Sequence, residues 1–225
     1  MNQSFMKQFS IRRLALAVIA STLVSSALTA CVPLLIGGAA AGGSLVATDR
    51  RTSGAQLEDE GIELRGVSRI RSNIGDRAHI NLASYNRQVL LTGEVPTAQD
   101  KELVEQIVTR VENVSGVVNE LAVMGNSSLV QRSSDALVTG RVKSLLIDAP
   151  DLFANSFKVV TERGTTYLMG RVTQREADRG TNVVRSTPGV QKVVRIFEVI
   201  SEDELARLLP SPAKPQPAGT KPQSN

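Results

Sequence analysis

Tryptophan is absent from the sequence, and aromatic residues make up only 3% of its 225 positions. Any core must therefore be aliphatic, built from Val, Leu and Ile, which suits small β-sheets. There is one cysteine, Cys31, so no internal disulfide can staple the fold. There is also one histidine, His79. A thiol–imidazole nucleophile needs the two side by side, and these lie in separate parts of the chain. With no second His and no ligand spacing, His79 reads as a surface or packing residue opening a strand rather than a metal ligand. The glycines of Ile36–Gly43 (IGGAAAGG) follow no strand and open no helix, so they read as linker and not as a phosphate cradle. Aromatic platforms for stacking bases are missing, which disfavours nucleic acid as a partner. No catalytic, cofactor-binding or metal-binding constellation emerges, and the expectation is a protein that is not an enzyme and has no cofactor.

What the chain does carry begins at its start. Lys7, Arg12 and Arg13 precede the apolar run Leu14–Ala27, an order that matches a secretory signal peptide. Leu28-Thr29-Ala30-Cys31 then resembles a bacterial lipobox. That resemblance implies a signal peptide over residues 1–30 and acylation of Cys31, which becomes the first residue of the mature protein. Several acyl chains, at about 0.8 kcal/mol per buried CH₂, give stable anchoring. Residues 31–56 are then expected to be a lipidated flexible linker, because a proline and four glycines interrupt Val32–Thr48 and argue against a membrane span. Val32 follows the cysteine where Asp would commonly signal inner-membrane retention, which favours the outer membrane.

The net charge of +4 is unevenly distributed. Residues 57–125 hold 7 Lys/Arg against 11 Asp/Glu, whereas residues 132–199 hold 11 Lys/Arg against 7 Asp/Glu. Either the basic half faces an anionic surface, or both halves are ordinary solvated faces.

The two halves are copies. Val89–Val95 (VLLTGEV) matches Thr166–Val172 (TYLMGRV), and His79–Ser84 matches Ser156–Thr161. Val114–Val123 matches Thr187–Ile196 if Gly116 is paired with Gly189. The offset is then near 77 positions, falling to 73 at the end, and the second copy is four residues shorter in its middle. Each copy reads as helix, strand, tight turn, strand, capped helix, strand. Glu58–Ile74 and Asp135–Ile147 show helical periodicity. Glu58-Asp59-Glu60 reads as acidic residues at a helix start, favoured by the dipole. Thr97–Asp100 and Thr173–Glu176 read as capping boxes. The expected class is α+β: two tandem αββαβ domains, 57–125 and 126–200, each a three-stranded sheet with two helices on one face. Ser201–Leu209 reads as a short helix and Pro210–Asn225 as a disordered Pro-rich tail.

This order, with Gly-x-Val at the end of the second strand, resembles the BON domain. Two such units behind a lipobox resemble the dual-BON outer-membrane lipoprotein family, from about Ala47 to Val199. The match is closest in VLLTGEVP (89–96) and in Lys158–Ala177. The resemblance implies a lipid-anchored, periplasm-facing protein whose second domain binds anionic phospholipid of the phosphatidylglycerol kind. It also implies a role in outer-membrane integrity and, in some members, enrichment at the division site.

On a 100° wheel, Val138, Val142, Leu145 and Leu146 of the second domain's first helix share one sector, assigned to the sheet. Ile147 falls almost opposite, with Lys143 beside it and Leu137 and Arg141 on the flank. Carried onto this helix, the family's phospholipid-binding surface is Leu137, Arg141, Lys143 and Ile147. The alternative is an adaptor that uses the same residues to contact an envelope protein and supports outer-membrane protein assembly.

Overall fold

The order helix–strand–strand–helix–strand occurs twice in the structure, a computed structural model that describes residues 49–208. Domain 1 comprises α1 (Ser53–Ile74), β1 (His79–Tyr85), β2 (Gln88–Val95), α2 (Ala98–Thr109), β3 (Gly116–Asn119) and the two-residue β4 (Ala122–Val123). Domain 2 comprises α3 (Leu129–Asp148), β5 (Phe157–Glu162), β6 (Thr165–Thr173), α4 (Gln174–Arg185) and β7 (Lys192–Ile200), followed by α5 (Glu202–Leu208). The expected α+β class and the doubled αββαβ order are both present. The signal peptide, Cys31 and the Pro-rich tail lie outside the described residues.

In each sheet a hairpin is antiparallel and the last strand joins its second member in parallel. β3 and β4 both pair with β2, and the Glu120 N–H still donates to Leu91 O at 2.9 Å between them. Strand pairing corrects the sequence alignment of the repeats. Val89 pairs with Val117, and its counterpart Thr166 pairs with Val193. The offset therefore changes only from 77 to 76 positions, and Gly116 is not the counterpart of Gly189. Both second helices have 12 residues, so no turn is missing. The difference is Pro96, which stands between strand and cap in domain 1 and has no equivalent between Val172 and Thr173. Gly189 has φ +100° in the turn before β7, whereas Gly116 already lies in β3 and has no left-handed φ.

The Gly-x-Val motif has a steric cause. A Cβ on Gly93 would stand 2.1 Å from His79 O, and one on Gly170 would stand 2.4 Å from Ser156 O. In both domains the partner strand passes too close for any side chain.

Both first helices start earlier than their periodicity indicates. Thr52 caps α1 by accepting the Ala55 N–H at 3.1 Å, and Ser128 caps α3 by accepting the Gln131 N–H at 3.2 Å. Residues 53–56, expected in the linker, are thus helical. Thr173 and Glu176 form a full reciprocal capping box at α4. Thr97 accepts the Asp100 N–H at 3.1 Å, but Asp100 instead takes the Thr97 hydroxyl and Arg77. Asp is one methylene shorter than the Glu that completes such a box.

Ile62, Ile70 and Ile74 of α1 and Val104 and Val108 of α2 pack on Val89, Leu91 and Val95 of β2. Val138, Val142 and Leu146 of α3 and Ala177 and Val184 of α4 pack on Val159, Leu168 and Val172. The opposite faces of the two sheets meet each other. Ala83, Tyr85 and Leu90 pack against Tyr167, Met169 and Ile196 in a third buried cluster. The described residues are therefore layered helix, sheet, sheet, helix. Each sheet carries helices on one face, as expected, and the other domain on its second face.

Candidate functional site

The outer surface of α3 is set by what its inner surface must do. Val138, Val142 and Leu146 are buried against the sheet, and Asp135 is buried beside them. Asp135 accepts the N–H groups of Arg163 (2.9 Å) and Gly164 (3.0 Å) in the hairpin turn of domain 2. With that stripe fixed, the residues opposite face outward. Leu137 is 64% exposed and Ile147 69% exposed. Arg141 and Lys143 are exposed on either side of them, so all four expected site residues lie on the outward half of one helix. Arg141 donates to the Pro188 carbonyl at 3.5 Å.

Two differences follow from the true helix start. Leu129 and Val130, in the first turn, are 78% and 80% exposed and extend the apolar ribbon by two turns. Ser128 followed by an apolar pair was the available signal for them. Leu145, expected to face the sheet, is instead 39% exposed at the edge of the buried stripe.

The segment before α1 packs onto domain 2. Arg50 is buried, and its guanidinium makes a bidentate pair with the buried Glu176 at 2.7 and 2.6 Å. It also donates to the Arg171 carbonyl at 2.9 Å. Burial alone would push the Glu176 carboxyl up, but the Arg50 and Thr173 bonds outweigh it and hold the group below its usual value. Next to it, Arg51 lies over the Tyr85 ring at 4.3 Å and bonds Asp59 at 2.7 Å. A recess at the seam between the domains is bordered by Asp49 and Arg51 of this arm, Tyr85, and Lys143, Ile147 and Lys158 of domain 2. Asp49, the first described residue, thus lies next to the C-terminal end of the α3 ribbon.

Asp59 does not serve as a helix-start charge. It lies in the second turn of α1, is buried, and accepts from Ser84 Oγ (2.6 Å) and from the Asn86 and Arg87 N–H groups (2.8 Å each). Glu63 of α1 pairs across the domain boundary with Lys158, which also donates to the Ser84 carbonyl at 3.0 Å.

A polar cluster lies on the far part of the same seam. His79 of β1 faces Glu94 of β2 (Nδ1 to Oε2, 3.1 Å) and Glu162 of β5 (Nδ1 to Oε1, 3.8 Å). Both carboxylates are buried. Of the two positions expected for His79, surface or packing, it takes the second, half-buried against two buried carboxylates where the domains meet. Burial pushes Glu94 up, yet the Ser127 N–H and hydroxyl and His79 outweigh it and hold the carboxyl low.

No helix among the described residues is long and apolar enough to cross a membrane. The BON domain family matches the chain twice, over residues 67–125 and 134–201. Outer membrane lipoprotein DolP of Haemophilus influenzae is 35% identical over 175 residues, which are 77% of this chain and 90% of that protein. The 21 kDa hemolysin of Actinobacillus pleuropneumoniae is 30% identical over 154 residues, 68% of this chain and 79% of that one. Among solved structures, CdsD, a structural protein of the type III secretion system of Chlamydia trachomatis, matches with 14% identity, 63% of this chain, 96% of that chain and a TM-score of 0.27.

Proposed function

The chain belongs to the dual-BON outer-membrane lipoprotein family, and from that premise we propose that its second domain holds anionic phospholipid with the outward face of α3. In this reading the protein is anchored through acylated Cys31, faces the periplasm, has no catalytic role, and supports outer-membrane integrity, with enrichment at the division site. The observation that carries the reading is the exposure of Leu137 and Ile147 on a helix face flanked by Arg141 and Lys143. An aliphatic side chain buried at the acyl boundary contributes about 1.5–3 kcal/mol. Each flanking cation adds about 1 kcal/mol at an anionic surface and is screened by salt. Such a sum gives a weak contact in solution and an adequate one for a tethered domain, where effective concentration is high. The arm supports the same reading, because Asp49 and Arg51 border the recess that Lys143 and Ile147 also line. Eighteen peptide steps separate Cys31 from Asp49, a reach of up to about 60 Å.

Vesicle flotation tests the reading. A leaderless chain beginning at residue 44, with folding checked by circular dichroism, should float with phosphatidylglycerol-containing vesicles and not with phosphatidylcholine alone. Ile147→Asp should abolish flotation while leaving the melting temperature nearly unchanged. Undiminished flotation of a folded Ile147→Asp chain would overturn the assignment of this surface.

In the second reading, an adaptor that supports outer-membrane protein assembly uses the same α3 residues, and domain 1 offers it a further exposed face. Leu64 and Val67 are 75% and 48% exposed on α1 and border a shallow recess with Leu82, Glu60, Glu63 and Arg71. Crosslinking from Leu64 to an envelope protein in cells, with lipid binding unaffected, would favour that reading.

A further inference from the structure

The seam cluster has a donor set that the proposed lipid-binding face does not use. We infer that His79, Glu94 and Glu162 form a site for a divalent transition-metal ion of the zinc class, which bridges the two BON domains. His79 Nδ1, a carboxylate oxygen of Glu94 and one of Glu162 all lie within 4.8 Å of one another. Zinc bound at about 2.0–2.2 Å to nitrogen and oxygen spaces tetrahedral ligands about 3.4 Å apart. The His79–Glu94 and His79–Glu162 separations, 3.1 and 3.8 Å, straddle that spacing. The third edge, between the two carboxylates, is no longer than 4.8 Å.

The surroundings orient the donors. Asn81 Nδ2 donates to Glu162 Oε2 at 2.7 Å, which leaves Oε1 turned toward His79. The Ser127 N–H donates to Glu94 Oε2 at 3.0 Å. Arg163 stays on the other oxygen, Oε1, at 3.5 Å. Arg132 holds the Ser127 hydroxyl at 3.1 Å, and that hydroxyl lies 3.4 Å from His79 Nδ1. Such outer partners fix the direction of metal ligands.

Charge favours a cation at this point. Two buried carboxylates from different domains face one imidazole. A dication between them offsets the charge of both carboxylates. One imidazole with two carboxylates suits zinc-like ions, whereas calcium takes six to eight oxygens. Glu94 comes from β2 and Glu162 from β5, so the ion would tie one domain to the other.

His79 is the only histidine in the chain, which gives a clean readout. Full-length lipidated protein, purified in dodecyl maltoside without a histidine tag and stripped with EDTA, would be titrated with ZnCl₂. Calorimetry would follow binding, and ¹H–¹³C NMR would follow the single imidazole. The expected result is one equivalent bound, a shift of the His79 imidazole signals, and a raised melting temperature. His79→Gln and Glu162→Gln should each weaken zinc binding by about tenfold or more, while millimolar CaCl₂ should leave the imidazole signals in place. An unmoved imidazole, zinc binding equally tight in both folded variants, or an identical response to calcium would overturn the proposal.

Discussion

Asp59 and Asp135 do the same work in the two domains. Each is a buried carboxylate on the first helix, and each accepts two consecutive N–H groups from the hairpin turn of its own domain. The turns need this help. Asn86, Arg87 and Arg163 are non-glycine residues with positive φ, and their N–H groups point inward. The carboxylate fixes helix, hairpin and turn in one contact.

Replacing either aspartate with alanine should therefore cost more than an ordinary surface change. Hydrogen bonds to a charged group are worth about 1.5–3 kcal/mol, and buried donors would be left open. We expect Asp135→Ala to lose about 2–3 kcal/mol. Asp59→Ala should lose somewhat more, because Arg51 and Ser84 also bond Asp59. Urea unfolding followed by circular dichroism measures both.

The Asp59 contribution should depend on pH. Burial raises its carboxyl pKa, but the bonds from Ser84, Arg87, Arg51 and Asn86 outweigh burial and hold the folded value below the usual one. A depressed folded value means the stabilisation is complete above the unfolded value of about 3.9 and is lost as pH falls through the folded value. The gap in stability between wild type and Asp59→Asn should be widest near neutrality and shrink below about pH 4. A gap that stays constant down to pH 2 would contradict this.

Arg50→Ala leaves Glu176 buried without its cation. Removing one member of a buried pair costs about 3–5 kcal/mol. The expected outcome is a lower melting temperature together with release of the arm, seen as faster proteolysis before Thr52. Adding Glu176→Gln to Arg50→Ala should recover part of the loss, because an amide tolerates burial better than an unpaired carboxylate.

Leu90→Asp tests the packing between the sheets. Leu90 is fully buried, yet it packs with Tyr167, Met169 and Ile196 of the other domain rather than with the helices of its own. The variant should unfold in two steps rather than one as the domains lose their shared core. Small-angle scattering should report a larger radius of gyration. A single sharp transition and an unchanged radius would show that the sheets do not depend on each other.

Leu129→Asp extends the test of the outer face. It lies at the opposite end of α3 from Ile147 and supports no core. Flotation with phosphatidylglycerol vesicles should fall several-fold at an unchanged melting temperature, the loss of a side-chain burial worth about 1.5–3 kcal/mol.

Local rules acting over a few residues made much of this readable in advance. The repeat, both hairpins, the Thr173–Glu176 box and the outward position of Leu137, Arg141, Lys143 and Ile147 depend on neighbours within a turn or a strand. Where the reading slipped, the cause was also local. Polar residues such as Gln56 and Ser133 hide a helix start, and the similarity of the two Gly-Val pairs masks the loss of a single proline.

The remaining features pair residues far apart in the chain, and periodicity carries no information about such pairs. Arg50 meets Glu176 across 126 positions and Asn81 meets Glu162 across 81. The unbroken apolar runs Val89–Leu91 and Tyr167–Met169 did carry a hint, since strands buried on both faces lose their alternation. They could not say what covers the second face. The sequence alone determined two αββαβ units and the outward face of α3, because helix phase and strand alternation follow from backbone geometry. Only the tertiary structure decided that the two sheets cover each other, that the arm before α1 locks onto domain 2, and that His79, Glu94 and Glu162 converge, because burying one face of each sheet against the other is what brings those distant side chains within reach.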